Sequence, residues 1–229
     1  MKRMMAVAGG LAVGVAVMLG ILQPWKRTPR PQAPAPAAPR PPEGATALEQ
    51  ANLALDALRV GNLKEAQALL ARAAALNPDL FEVALYQGHL DMVKRDHAAA
   101  RRSYTEALKL RPDHAGARAS RAAARLEMRE YAGAIEDATK AVEIDATEPD
   151  PFFTRAAAYG ALGRWEESVR DWTSFLAIRP KEADAWVNRG NAHERMGNKA
   201  AAATDWREAL RLDPSLEQQL NPLIKDAER

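Results

Sequence analysis

The sequence predicts an all-α protein, a solenoid of five helix-turn-helix repeats closed by a short C-terminal capping helix. Three observations predict it. Prolines recur at a 34-residue step, at Pro78, Pro112, Pro180 and Pro214, with Ala146 at the remaining step. Counted from the first residue of each step, position 8 is always small: Ala54, Gly88, Ala122, Ala156 and Gly190. Position 20 is small as well (Ala66, Ala100, Ala134, Ser168, Ala202), as is position 27 apart from Phe175 (Ala73, Ala107, Ala141, Ala209). Two antiparallel helices need small residues where their axes approach, and each proline stops the second helix from running on. The repeats are then 47–80, 81–114, 115–148, 149–182 and 183–216.

Taken in order, the chain opens on Lys2 and Arg3, followed by 19 residues, 4–22, without a charge. A helix of that length covers roughly 28 Å, close to the apolar thickness of a bilayer. Residues 1–23 are therefore expected to be an uncleaved transmembrane signal-anchor, with a cleaved signal peptide as the competing reading. Trp25, Lys26 and Arg27 fall where interfacial aromatics and headgroup contacts are favoured. The expected localisation is a single-pass membrane protein with its repeats periplasmic or extracytoplasmic. Gly10 and Gly14 form a GxxxG pair, a route to a homodimer through that helix. Residues 24–46 are rich in proline and alanine and predict a solvated polyproline II linker, for which a stalk is the simplest role.

Within the repeats, bulky residues sit opposite the small ones. Position 24 is Leu70, Tyr104, Ala138, Trp172 and Trp206. Turns between paired helices carry Gly61, Gly163 and Gly197, suited to the left-handed conformation that ends a helix. Arg95 and Arg129 replace glycine there in repeats two and three, so those turns are expected to close differently. Phe175, bulky at a small-residue position, predicts locally wider packing in the fourth repeat. The tail, residues 217–229, predicts the helix that covers the last open face.

The last repeat, residues 183–216, carries Trp186, Gly190, Ala202, Trp206 and Pro214 in the pattern W-x3-G, A-x3-W, P. It resembles a tetratricopeptide repeat, departing from that signature at Arg189 (for Leu) and His193 (for Tyr). The resemblance implies a right-handed superhelical solenoid that binds a partner protein, as in membrane-anchored envelope proteins of this family. Composition agrees with a binding role. Without cysteine there is no thiolate nucleophile, metal ligand or disulfide. Residues 47–229 hold 26 Lys and Arg against 29 Asp and Glu, so the body has no basic bias toward nucleic acid. No phosphate-binding glycine loop, nucleophile elbow or HExxH is present, so no enzyme activity, cofactor or metal is expected.

Arg121, Arg155 and Arg189 all occupy position 7, and 16 residues after each lies Asp137, Asp171 and Asp205. Repeats one and two have neither partner, carrying Leu53 with Leu69 and Gln87 with Ser103. Arginine and aspartate appear together or not at all, which predicts helix-to-helix ion pairs within each repeat, because a half-buried guanidinium without a partner is costly. Arg118, Arg121 and Arg125 share one helix face, their stems covering apolar surface or their heads forming an anionic-peptide site.

The resemblance further implies that the first helices of successive repeats line a concave groove. Its wall is predicted at Leu85, Tyr86, His89, Ala119, Phe153, Ala157, Val187, Asn188 and Asn191. That surface suits an apolar peptide or amphipathic helix, with amides orienting the backbone. The function expected is a membrane-anchored interaction scaffold. The alternatives are an accessory or co-chaperone-like subunit in envelope assembly or cofactor maturation, and a cytoplasm-facing regulator.

Overall fold

Residues 44–228 are described by a computed structural model of the chain. They form eleven α-helices and one short 3-10 turn, with no strand among the described residues. The first helix of each repeat spans 13 residues: α1 Ala47–Arg59, α3 Phe81–Val93, α5 Ala115–Glu127, α7 Pro149–Ala161 and α9 Ala183–Arg195. The second spans 14: α2 Leu63–Leu76, α4 His97–Leu110, α6 Tyr131–Ile144, α8 Trp165–Ile178 and α10 Lys199–Leu212. Each begins at the same phase of the 34-residue step, so the helix bounds repeat as the sequence does.

The helices fall into two compact units, one ending at Glu130 and the other beginning at Tyr131. In the first, α1 packs on α2, α3 on α4, and α5 against α4 and α3. Thr46 starts it with a capping box: its hydroxyl accepts from the Glu49 N–H at 3.3 Å while its own N–H donates to the Glu49 carboxylate at 2.7 Å. In the second unit α7 packs on α6 and α8, and α9 on α8 and α10. The chain ends with the turn Pro214–Leu216 and α11, Glu217–Ala227. Leu220 is fully buried and Ile224 nearly so, packed with Val187, Trp206 and Ala209. The tail thus covers the apolar face that the last repeat leaves open.

Small residues at position 8 have a measurable cause. A Cβ on Gly88 would stand 2.4 Å from the Tyr104 ring, and one on Gly190 would stand 2.7 Å from the Trp206 indole. The position-24 side chains of those two repeats, Tyr104 and Trp206, therefore lie directly on the glycines. Trp172, the position-24 residue of the fourth repeat, belongs instead to an aromatic triad. Phe153, Trp172 and Phe175 meet edge to face at 5.0, 5.5 and 6.0 Å between ring centroids. Phe175, the misfit in the small-residue pattern, is thus one edge of this triad.

Two expectations are corrected. The turns at Arg95 and Arg129 do not close differently from the glycine turns. Arg95 (φ 63°) and Arg129 (φ 60°) adopt the same left-handed conformation as Gly61 (φ 78°), Gly163 (φ 73°) and Gly197 (φ 79°). The reason is the hydrogen bonding of the helix end. In every repeat the residue at position 15 donates to the carbonyl three before it, and the next residue donates five back, as in Arg95→Met92 at 3.0 Å and Asp96→Asp91 at 2.9 Å. This Schellman pair satisfies two orphan carbonyls and holds even a residue with a Cβ left-handed.

The second correction concerns the membrane. Among the described residues no helix is long and apolar enough to cross a bilayer. Spanning about 30 Å of hydrocarbon takes about 20 apolar residues, whereas the repeat helices have 13 or 14 and each carries a polar face. The single-pass, extracytoplasmic localisation is therefore withdrawn. Residues 4–22, with the GxxxG pair, and the proline-rich stretch up to residue 43 lie outside the described residues.

Candidate peptide-binding face

The position-7 arginines build the polar framework behind the first helices. Arg155 grips Asp171 with both prongs of its guanidinium, Nε to Oδ2 at 2.7 Å and Nη2 to Oδ1 at 2.8 Å. Arg189 holds Asp205 in the same way, both contacts at 2.8 Å. Bidentate pairing of this kind is the strong form of the salt bridge, and the hydrogen bond to Asp171 raises the Arg155 pKa above its ordinary value. Asp171 and Asp205 are buried, so the arginine is each carboxylate's replacement for water. Asp137 is buried too, and its predicted partner Arg121 belongs to the other compact unit.

The third guanidinium nitrogen has a role that the sequence reading overlooked. Nη1 of Arg155 donates to the Thr139 hydroxyl at 3.0 Å, and Nη1 of Arg189 to Thr173 at 3.1 Å. Nη1 of Arg121 reaches Thr105 at 3.3 Å. Each threonine stands 16 residues before its arginine, in the preceding repeat, so one arginine ties two repeats together. Repeat two, which lacks the arginine, uses Asp91 instead. Gln87 donates to one Asp91 oxygen at 2.8 Å and Ser103 to the other at 3.1 Å. Among the other arginines, Arg118 donates to the Pro112 carbonyl at 3.2 Å, and its stem is half-buried.

The predicted groove residues divide between the units. In the first unit Leu85 is buried, while Tyr86, His89 and Ala119 are half-buried. His89 stands 5.9 Å from the Tyr86 ring and 5.7 Å from Tyr104. Burial among these groups lowers the His89 pKa to about 4, so the imidazole is neutral at pH 7. Tyr104 lies fully buried with its hydroxyl bonded to Ser120, and burial raises its pKa. In the second unit Ala157, Val187 and Asn188 are buried, and Phe153 and Asn191 half-buried. The Asn191 side-chain oxygen accepts from the Trp206 indole at 3.0 Å, so this amide is committed to the core. Of the predicted groove residues, those that are not fully buried are Tyr86, His89 and Ala119 in one unit, and Phe153 and Asn191 in the other.

Helix pairs repeated at a fixed 34-residue phase define a helical-repeat protein of the tetratricopeptide architecture. Two stretches are similar in sequence as well: residues 85–149 and residues 183–216 each match a family model described as tetratricopeptide repeat. Among solved structures the chain is similar to MamA (residues 41 to the end) from Desulfovibrio magneticus RS-1, with a TM-score of 0.67 at 22% identity. That match covers 75% of this chain and 97% of the other. YrrB, described as a TPR protein with an unusual peptide-binding site, is similar with a TM-score of 0.64 at 19% identity, covering 80% of this chain and 91% of that one. No curated protein sequence gives a match. At these identities the likeness is one of fold.

Proposed function

We propose that this chain is a protein-interaction scaffold, not an enzyme, and that it receives a peptide or helix on the exposed faces of its first helices. The observation that carries this reading is Phe153. Of its counterparts, Ala51, Leu85 and Val187 are buried and Ala119 is half-buried but small, whereas Phe153 is a large side chain only half-buried, packed on Trp172 and Phe175. A large aromatic held rigidly at a surface is the kind of residue that dominates binding energy at interfaces. His89 and Tyr86 form a second, smaller aromatic platform in the first unit. The tetratricopeptide fold supports the reading, since YrrB is described as having a peptide-binding site.

The test is a photo-crosslinking scan with a diazirine amino acid placed singly at Tyr86, His89 and Phe153, and at the exposed second-helix positions Glu136, Glu166 and Arg170. Partner crosslinks are expected from positions of the first group and not from the second. Equal yields from both groups would overturn the proposal.

A further inference from the structure

The repeats are not tied to one another equally. From repeat two onward, an arginine at position 7 reaches a threonine in the preceding repeat: Arg121 with Thr105, Arg155 with Thr139 and Arg189 with Thr173. At the junction of repeats one and two the same places hold Gln87 and Ala71. Alanine offers no hydroxyl, and Gln87 turns to Asp91 on its own helix, at 2.8 Å. Among the described residues one side-chain hydrogen bond crosses this junction, from Lys94 to Gln67 at 2.7 Å, between exposed groups. The junction of repeats two and three lies in the same compact unit and is held differently. It has the Arg121 tie, the Arg101–Glu130 ion pair at 2.7 Å, and His97 at 3.9 Å from Glu127.

The helices themselves pack alike at these junctions, α1 and α2 on α3 as α4 on α5, so the difference lies in the side chains. Apolar contact across the first junction joins Leu69 and Leu70 to Leu90, and Ala51 and Ala73 to Val83. Leu48, Val60 and Leu76 of repeat one remain exposed and add nothing to it. Repeat one also has a single neighbouring repeat among the described residues, whereas the far end of the array is covered by α11. In a stacked array each repeat is held by its own stability and by its interfaces. The repeat with one interface and no arginine tie is therefore the first to open.

We infer that repeat one opens from repeat two as a unit, α1 and α2 together, while α3, α4 and α5 stay folded. The opening reaches the proposed binding face through Tyr86. Its ring packs on both apolar clusters that cross the junction, and the charges of Asp56 and Arg59 near the end of α1 act on its hydroxyl. Opening withdraws that support from Tyr86 and leaves Phe153, in the other unit, untouched. The state of repeat one thus decides whether the Tyr86 part of the face is assembled. That consequence rests on the scaffold reading above; the opening itself does not.

The experiment is native-state hydrogen exchange of the full chain, read by mass spectrometry of its peptides. Amides of α1 and α2 are expected to share one opening and to exchange about ten-fold faster, or more, than those of α3 and α4. Equal protection of the first two repeats, or separate openings of α1 and α2, would overturn the inference. Ala71→Thr with Gln87→Arg installs the missing tie, with Asp91 as the buried carboxylate, and should slow α1 and α2 about five-fold, the effect of one hydrogen bond. Thr173→Ala, which removes an existing tie, should speed α9 and α10 by a similar factor relative to α7. Unchanged exchange in both variants would show that the ties do not set the strength of a junction, and the inference would fall. Tyr86→Ala should speed α1 and α2 about ten-fold or more with α7 unmoved; no change there would sever the opening from the binding face. None of these outcomes touches the scaffold reading, which fails separately if crosslinks show no preference for the first helices.

Discussion

At the scale of single residues, the Arg155–Asp171 pair is where electrostatics and burial meet. Removing one partner strands a buried charge, so Arg155→Ala is expected to cost about 3–5 kcal/mol in urea denaturation. The double replacement Arg155→Leu with Asp171→Leu copies repeat one, which carries Leu53 and Leu69, and is expected to cost far less than either single change. Additive losses would show that the two side chains act separately. The pairing was legible because one chain with a 34-residue step aligns with itself, and co-occurring residues at positions 7 and 23 stand out. Thr105, Thr139 and Thr173 were equally periodic, but a threonine in a helix carries no charge to draw attention. Asp91 was not legible at all, since it enters from position 11 rather than from either expected place. At the left-handed turns, Arg95→Gly relieves a Cβ conflict but loosens the unfolded chain, and the net expectation is a gain of up to ~1 kcal/mol. A loss would show that the arginine stem contributes more than the strain.

At the scale of elements, packing between paired helices is set by which side of the interface carries the bulk. Gly190→Ala pushes a Cβ into the Trp206 ring, with the Ala202 carbonyl 3.2 Å away, and is expected to cost about 1–3 kcal/mol by thermal denaturation. Helix α11 has its own anchor. Leu220→Ala leaves a cavity over Val187 and Trp206 and is expected to cost about 2–5 kcal/mol. In α3, His89 has a folded pKa of about 4, below the usual value near 6.5 for an unfolded chain. The unfolded state then binds more protons between those values. Stability from this site is present above about pH 6.5 and is lost as the pH falls toward 4. His89→Gln should flatten that part of the profile of melting temperature against pH; an unchanged profile would assign the pH dependence elsewhere. The burial of Leu85, Ala157, Val187 and Asn188 was not legible, because exposure at the groove positions depends on the size of neighbours in the adjacent helix. The sequence pattern marks the face; the packing decides which residues on it remain open.

At the scale of the whole molecule, the architecture follows from one repeated unit that cannot bury its apolar stripe alone and does so against the next copy. The repeat was legible in the sequence, and the helix bounds keep one phase at its 34-residue step. Charge is the property that the repeats do not share, with the acidic surplus confined to residues 131–228. The central claim is that partners are received on the first helices. Hydrogen exchange of the full chain, with and without a partner captured at Phe153, tests it most directly. The account predicts added protection in α3, α7 and α9, with α4, α8 and α10 unchanged. Protection gained on the second helices instead would contradict it.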